Sequence, residues 1–308
     1  MPSEADDAKR DDLAPVSDRP ERRRRIKQLE VMVADVVSET PDTTTLVLFT
    51  GNDRLEYEAG HFLTVDPHQF EALERFTAYL EDVKGRREPP RAYSLSSAPH
   101  ERYLAFTVKE ERYVSGTTRY PPLLSPLLVK RTPRGTRMVV TGFTGPYTLP
   151  PDAEARAETV VHVCAGSGIV PNFSILKHAL AERPRLKHVL VDSNRTWCDV
   201  IFRRELAELA ARHPDRVRVL HALTRETEPS PSGPDVRRGR VDAALLREAI
   251  PDPSSCLVLV CGPALSPWDR QAAREKGVET APRFMEAVLG ALDALGVPRD
   301  RVLRESYG

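Results

Sequence analysis

The 308-residue chain carries 45 basic and 45 acidic residues and is 40% hydrophobic, long enough for two domains that each bury a core. Balanced charge argues against nucleic acid as a partner, and no apolar run reaches the roughly 18 residues of a membrane span. Its four cysteines (Cys164, Cys198, Cys256 and Cys261) form no C-x-x-C pair, so no zinc or other metal site and no thioredoxin-like chemistry is expected. The charged N-terminus has no apolar core of a secretory signal, and a cytoplasmic, reduced protein is the expectation.

Residues 1–28 are rich in both charges and poor in apolar residues, which reads as a disordered tail. From Leu29 onward, short β-like runs follow one another at Val31–Val37, Thr44–Phe49, His61–Val65, Ala92–Leu95, Tyr103–Val108 and Arg137–Val140. Six such strands predict a small antiparallel barrel that closes its own edges over residues 29–152. An insertion near 67–90 breaks the series; Leu73, Phe76, Tyr79, Leu80 and Val83 have helical spacing within it. The segment Pro121-Pro122-Leu-Leu-Ser125-Pro126 is too proline-broken for a helix until after it.

After Pro150-Pro151 the rhythm becomes strand then helix, predicting a parallel-sheet α/β domain over 153–308. Strands are expected at Thr159–Cys164, His188–Val191, Val217–Leu220, Cys256–Val260 and Arg301–Tyr307. Helices are expected near Asn172–Ala181, Asp199–Arg212, Asp242–Glu248 and Pro282–Leu295, with Glu226–Arg238 a polar, proline-rich loop.

Four stretches carry chemistry. Arg91-Ala-Tyr93-Ser94-Leu-Ser-Ser97 offers a guanidinium for a phosphate, a flat aromatic face and a hydroxyl, a set suited to holding a flavin. Gly166-Ser167-Gly168-Ile-Val-Pro171 lies between a strand and a helix, where glycines admit a pyrophosphate to the helix N-terminus; an unliganded tight turn is the alternative. Cys261-Gly262-Pro263 ends a late parallel strand, on the edge where open α/β sheets bind ligands; by itself Cys261 reads rather as a buried structural thiol. The last stretch is Glu305-Ser-Tyr307-Gly308 at the end of the chain.

Taken in this order, the stretches resemble the ferredoxin–NADP reductase superfamily over residues 29–308, apart from insertions near 67–90 and 264–281. Arg-x-Tyr-Ser-x-x-Ser resembles its flavin signature, Gly-Ser-Gly-x-x-Pro its nucleotide turn and Cys-Gly-Pro its nicotinamide strand. Tyr57–Leu63, with His61 in a glutamine's usual place, and Gly142–Tyr147 are similar to its barrel motifs. The resemblance implies FAD held by Arg91, Tyr93, Ser94 and Ser97, with Tyr307 covering the ring. It implies NAD(P)H held by Gly166, Ser167, Gly168, Pro171, Cys261, Gly262 and Pro263. Ser94, Cys261, Glu305 and Tyr307 become the catalytic set. A second flavin-phosphate element is matched only by Ser125, with Pro122 where glycine is usual, so a shorter flavin stays open beside FAD. Ser193, Arg195 and Arg203 suit a nucleotide 2′-phosphate whereas Asp192 suits a free 2′-hydroxyl; the reading leans to NADPH over NADH. No run of cysteines fits a C-x4-C-x2-C iron–sulfur cluster, so electrons are expected to leave for a separate ferredoxin or oxygenase component. A reductase of free flavin, ferric chelate or quinone, and a flavin-binding scaffold without turnover, are the alternatives.

Overall fold

The computed structural model describes residues 28–51, 55–113, 120–229 and 231–307; the expected tail, up to residue 27, and Gly308 lie outside them. Six strands form one antiparallel sheet: β1 (Gln28–Thr40), β2 (Thr43–Phe49), β3 (Phe62–Val65), β4 (Arg91–Ser94), β5 (Leu104–Lys109) and β6 (Arg137–Thr144). Their order is β4-β3-β6-β1-β2-β5, and a bridge between Leu95 and Phe106 brings the two edge strands together, closing the barrel. The alternation read from the sequence points Val31, Val33, Leu46, Leu48, Leu63, Val65 and Phe106 inward, all buried.

The insertion folds as two short 3₁₀ turns, Pro67–Gln69 and Glu71–Leu73, before α1 (Glu74–Lys84). Pro67 starts the first turn and the Asp66 carboxylate caps it. α1 buries Thr77 and Leu80 and stops at Gly85, whose φ of 65° is the left-handed conformation that glycine adopts freely. The next helix, α2 (Ser125–Lys130), begins at Ser125 itself, because Pro126 sits in the first turn, where no N–H is needed.

Beyond α3 (Ala153–Arg156) comes the second sheet. Its chain order is β7 (Thr159–Ala165), α4 (Ile169–Glu182), β8 (Lys187–Asn194), α5 (Arg203–Arg212), β9 (Val217–Leu223), β10 (Val236–Arg238), α6 (Ala243–Ala249), β11 (Cys256–Pro263), α7 (Pro267–Lys276), α8 (Phe284–Ala294) and β12 (Val302–Tyr307). All pairs are parallel, in the order β10-β9-β8-β7-β11-β12. The central strands β7 and β11 are buried almost end to end, which explains their runs of Val, Leu and Cys, interrupted in β7 by His162. Two elements depart from the expectation: β10 lies within the predicted loop, and α7 lies within the second insertion. None of the helices is long and apolar enough to cross a membrane, among the described residues.

Candidate active site

Parallel pairing sets the site. β11 and β12 run in a register that puts Cys261 opposite Glu305 and Pro263 opposite Tyr307. Tyr307 then crosses from the α/β sheet to the barrel, where its hydroxyl makes a short hydrogen bond with Ser94 Oγ at the end of β4. The same hydroxyl donates to Glu305 Oε2 at 3.5 Å and touches the Cys261 thiol. Four residues from two domains and three strands thus meet at one point.

Burial sets their protonation. It pushes the Cys261 thiol well up, and the Glu305 carboxylate adds to the shift, so Cys261 is a neutral apolar group at neutral pH rather than a nucleophile. Burial also raises the Tyr307 phenol and the Glu305 carboxyl, although the hydrogen bond from Tyr307 works against the second shift. The cluster can hold and orient a proton beside an apolar wall.

Next to it, Gly166–Gly168 forms a 3₁₀ turn between β7 and α4. Gly166 has φ of 55°, and a Cβ on Gly168 would lie 2.1 Å from the Cys261 carbonyl oxygen. Pro171 is buried in the first turn of α4, where its missing N–H leaves no bond unmade. Asn172 steadies the turn by donating to the Gly168 carbonyl (2.9 Å), and its Oδ1 accepts from Tyr147 at the barrel's exit (3.2 Å). A cleft of about 910 Å³ opens over the carboxyl edge of the sheet, from Gly166 and Ser167 to Pro263 and Tyr307, with Lys109 and Glu111 of the barrel on its far wall.

On the barrel side, Arg91 and Tyr93 share one face of β4 by strand periodicity. Tyr93 is half-buried, its ring 5.7 Å from that of Phe106. Arg91 donates to Glu88 Oε2 and to the Pro89 carbonyl, both at 2.5 Å, and Lys84 holds the other Glu88 oxygen at 2.7 Å. Two cations beside an aromatic face fit a phosphate-bearing aromatic cofactor. Glu88 is paired with both of them.

A family description, the oxidoreductase NAD-binding domain, matches residues 162–265. The ferredoxin reductase component of 3-ketosteroid-9-alpha-monooxygenase from Mycolicibacterium smegmatis is 31% identical over 286 residues, covering 91% of this chain and 65% of that protein. Its counterpart from Mycobacterium tuberculosis is 32% identical over 294 residues, with the same coverage. Among solved structures, the FAD/NAD-binding domain of nitric oxide dioxygenase from Vibrio cholerae shares the fold at a TM-score of 0.66 and 23% identity, covering 92% of this chain and 99% of that one. The chain thus carries a match to the oxidoreductase NAD-binding domain and is similar along nine-tenths of its length to these ferredoxin reductase components. It spans about two-thirds of the length of the monooxygenase components it matches.

Not every residue picked from the sequence reaches the cleft. Ser193 and Arg195 line it, at the end of β8. Arg203 does not: its guanidinium stacks 5.4 Å over the Trp197 ring and donates to the Trp197 carbonyl, outside the cleft. Asp192 is fully buried, accepting from Asn194 Nδ2 and from the Cys164 thiol, so it is not free to bind a ribose. Ser97 is spent inside the barrel, on the Tyr57 hydroxyl (2.8 Å) and the Ala105 N–H (3.0 Å). Ser125 accepts from the Glu111 N–H at 3.1 Å and is likewise buried. His61 accepts from the Glu58 N–H, a capping role. The sequence reading missed Lys109, Arg225, Arg240, Arg283 and Phe284, all lining the cleft. Gly-Arg-Val at 239–241, after a polar loop, was the available hint for Arg240.

Proposed function

We propose that this chain takes hydride from a reduced nicotinamide nucleotide onto FAD and passes electrons to a separate acceptor protein, a ferredoxin or an oxygenase component. The observation that carries this reading is the meeting of Ser94, Cys261, Glu305 and Tyr307 between barrel and sheet. Arg91, Tyr93 and Ser94 would hold FAD, which when bound supplies the step from two-electron to one-electron transfer. Tyr307 shields the Ser94 edge and must move aside for a nicotinamide to reach it. Gly166, Ser167 and Gly168 present backbone N–H groups at the start of α4 to the nucleotide phosphates. Cys261, kept protonated, gives the nicotinamide an apolar wall, and Glu305 with Ser94 orients a proton at the point of transfer. The monooxygenase components among the relatives support a protein acceptor. Support for NADH over the NADPH favoured from sequence comes from Arg203, which faces away, and Arg195, which is already paired with Asp42 and Asp199.

Anaerobic absorbance titration of the purified protein with NADH and NADPH tests this. The expected result is flavin bleaching, faster with NADH, and turnover with ferredoxin above that with ferric chelate or quinone. Glu305→Gln should retain flavin and slow its reduction roughly 100-fold or more. Bound flavin that neither nucleotide reduces would reject the reading in favour of a scaffold.

A further inference from the structure

We infer that Asp42, a residue of the flavin-side barrel, decides which nicotinamide nucleotide the cleft accepts. The inference rests on the cleft being the nucleotide site. Asp42 lies in the turn between β1 and β2, far in sequence from the nucleotide domain, and is buried to 3% exposure. Its Oδ1 accepts from Thr40 Oγ1 (3.0 Å), Thr43 Oγ1 (3.1 Å) and Lys109 Nζ (2.7 Å). Its Oδ2 accepts from Arg195 Nη2 across the domain boundary at 3.1 Å. The same Nη2 also donates to Asp199 Oδ1 at 2.6 Å.

Lys109, Arg195 and Asp199 line the cleft, and Asp42 stands directly behind them. Two cations and two carboxylates therefore cancel at this wall; Arg112, 3.9 Å from Asp42, does not line the cleft. The end of the second strand of such a sheet is where the adenosine ribose is read. A 2′-phosphomonoester carries a charge of about −1.5 to −2 near neutral pH. Arriving here, it would have to take Arg195 from two carboxylates already bonded to it. A free 2′-hydroxyl has no such requirement. Two threonine hydroxyls and a lysine fix the Asp42 carboxylate in place, so it cannot turn away to release Arg195. Those contacts, Lys109 first, hold its pKa at about 2 against the opposing effect of burial, and it stays charged at any working pH. Arg225 lies beside Arg195, its backbone N–H bonded to the Arg195 carbonyl, and its side chain is exposed. Arg225, with Arg240 also lining the cleft, leaves a 2′-phosphate other cations, so discrimination against NADP is a matter of degree.

The test is calorimetric titration of the full chain with NAD⁺ and NADP⁺, where binding is read without turnover. Asp42→Asn keeps the shape and an acceptor oxygen for the threonines while removing the charge. It should tighten NADP⁺ binding roughly tenfold or more and leave NAD⁺ within about twofold. The gain should vanish in the Asp42→Asn/Arg195→Ala double variant. Asp199→Asn, on the open side of the same guanidinium, should move NADP⁺ in the same direction and serves if Asp42→Asn does not fold. Equal changes for both nucleotides, no change in either variant, or a gain that survives loss of Arg195 would overturn the role of Asp42. Failure of the unaltered protein to bind either nucleotide would instead remove the assignment of the cleft.

Discussion

Arg91 shows how one buried contact can change the meaning of a candidate binding residue. A phosphate would have to displace Glu88, which is buried to 1% exposure and held by both Lys84 and Arg91. Its carboxyl lies below the usual carboxylate range because Lys84 and Arg91 outweigh its burial. Removing that charge frees two cations at once. Glu88→Gln should therefore bind FAD several-fold more tightly, measured by quenching of flavin fluorescence, with the difference shrinking at high salt. Weaker binding in the variant would mean that Glu88 shapes the pocket and does not compete for it. The same lesson applies to Arg195. Its residue type and its i,i+4 partner Asp199 were legible in the sequence, but its second counter-ion, Asp42, lies 153 residues away, and no local pattern shows that pair. Ser97 and Ser125 were legible as hydroxyls on flavin-like motifs, whereas their partners, Tyr57 and the Glu111 N–H, depend on the closed barrel.

Elements were easier to read than partners. The buried strands announced themselves because both faces of β7 and β11 are covered, and α8 kept Met285, Val288 and Leu292 on one face. β10 escaped because three residues, Val236–Arg238, in a proline-rich stretch carry no period; pairing with β9 makes them a strand. α7 was passed over although Ser266 and Asp269 form a capping box at its start. At the Gly166–Gly168 turn, sequence and packing agree. Gly168 brings the start of α4 so close to β11 that a methyl group would enter the Cys261 carbonyl. Gly168→Ala should force the helix and strand apart, costing about 1–3 kcal/mol as overpacking does. That corresponds to a fall of roughly 3–10 °C in the melting midpoint, read by circular dichroism. Nucleotide affinity should fall with it, since the same shift opens the turn. An unchanged midpoint would show that the approach is looser than the geometry requires.

Across the whole molecule, the two domains are pinned by contacts of different acid tolerance. Ser174 donates to the Ser97 carbonyl, Lys177 pairs with Glu101, and Arg195 pairs with Asp42, which stays ionised down to about pH 2. The α/β domain has a weaker point inside it. His162 is fully buried, sharing one hydrogen bond with Asn172 (3.0 Å) and one with His188 (3.2 Å), and His188 Nε2 has no partner among the described residues. Burial lowers His162 to about 4 and His188 well below the ordinary value of 6.5. The unfolded chain thus binds protons near pH 6.5 that the folded chain refuses until about pH 4. This stability is complete above pH 6.5 and drains away as pH falls toward 4, by about 3 kcal/mol for His162 alone. Both tryptophans, Trp197 and Trp268, belong to the α/β domain, so their fluorescence follows its unfolding in urea. The urea midpoint should fall steadily between pH 6.5 and 4, and less steeply in His188→Gln, which cannot be protonated. The interdomain Asp42–Arg195 pair stays charged throughout that range, so the loss begins within the nucleotide sheet and not at the boundary. Parallel slopes for the two proteins would remove His188 from the acid-sensitive step and leave His162 alone in it.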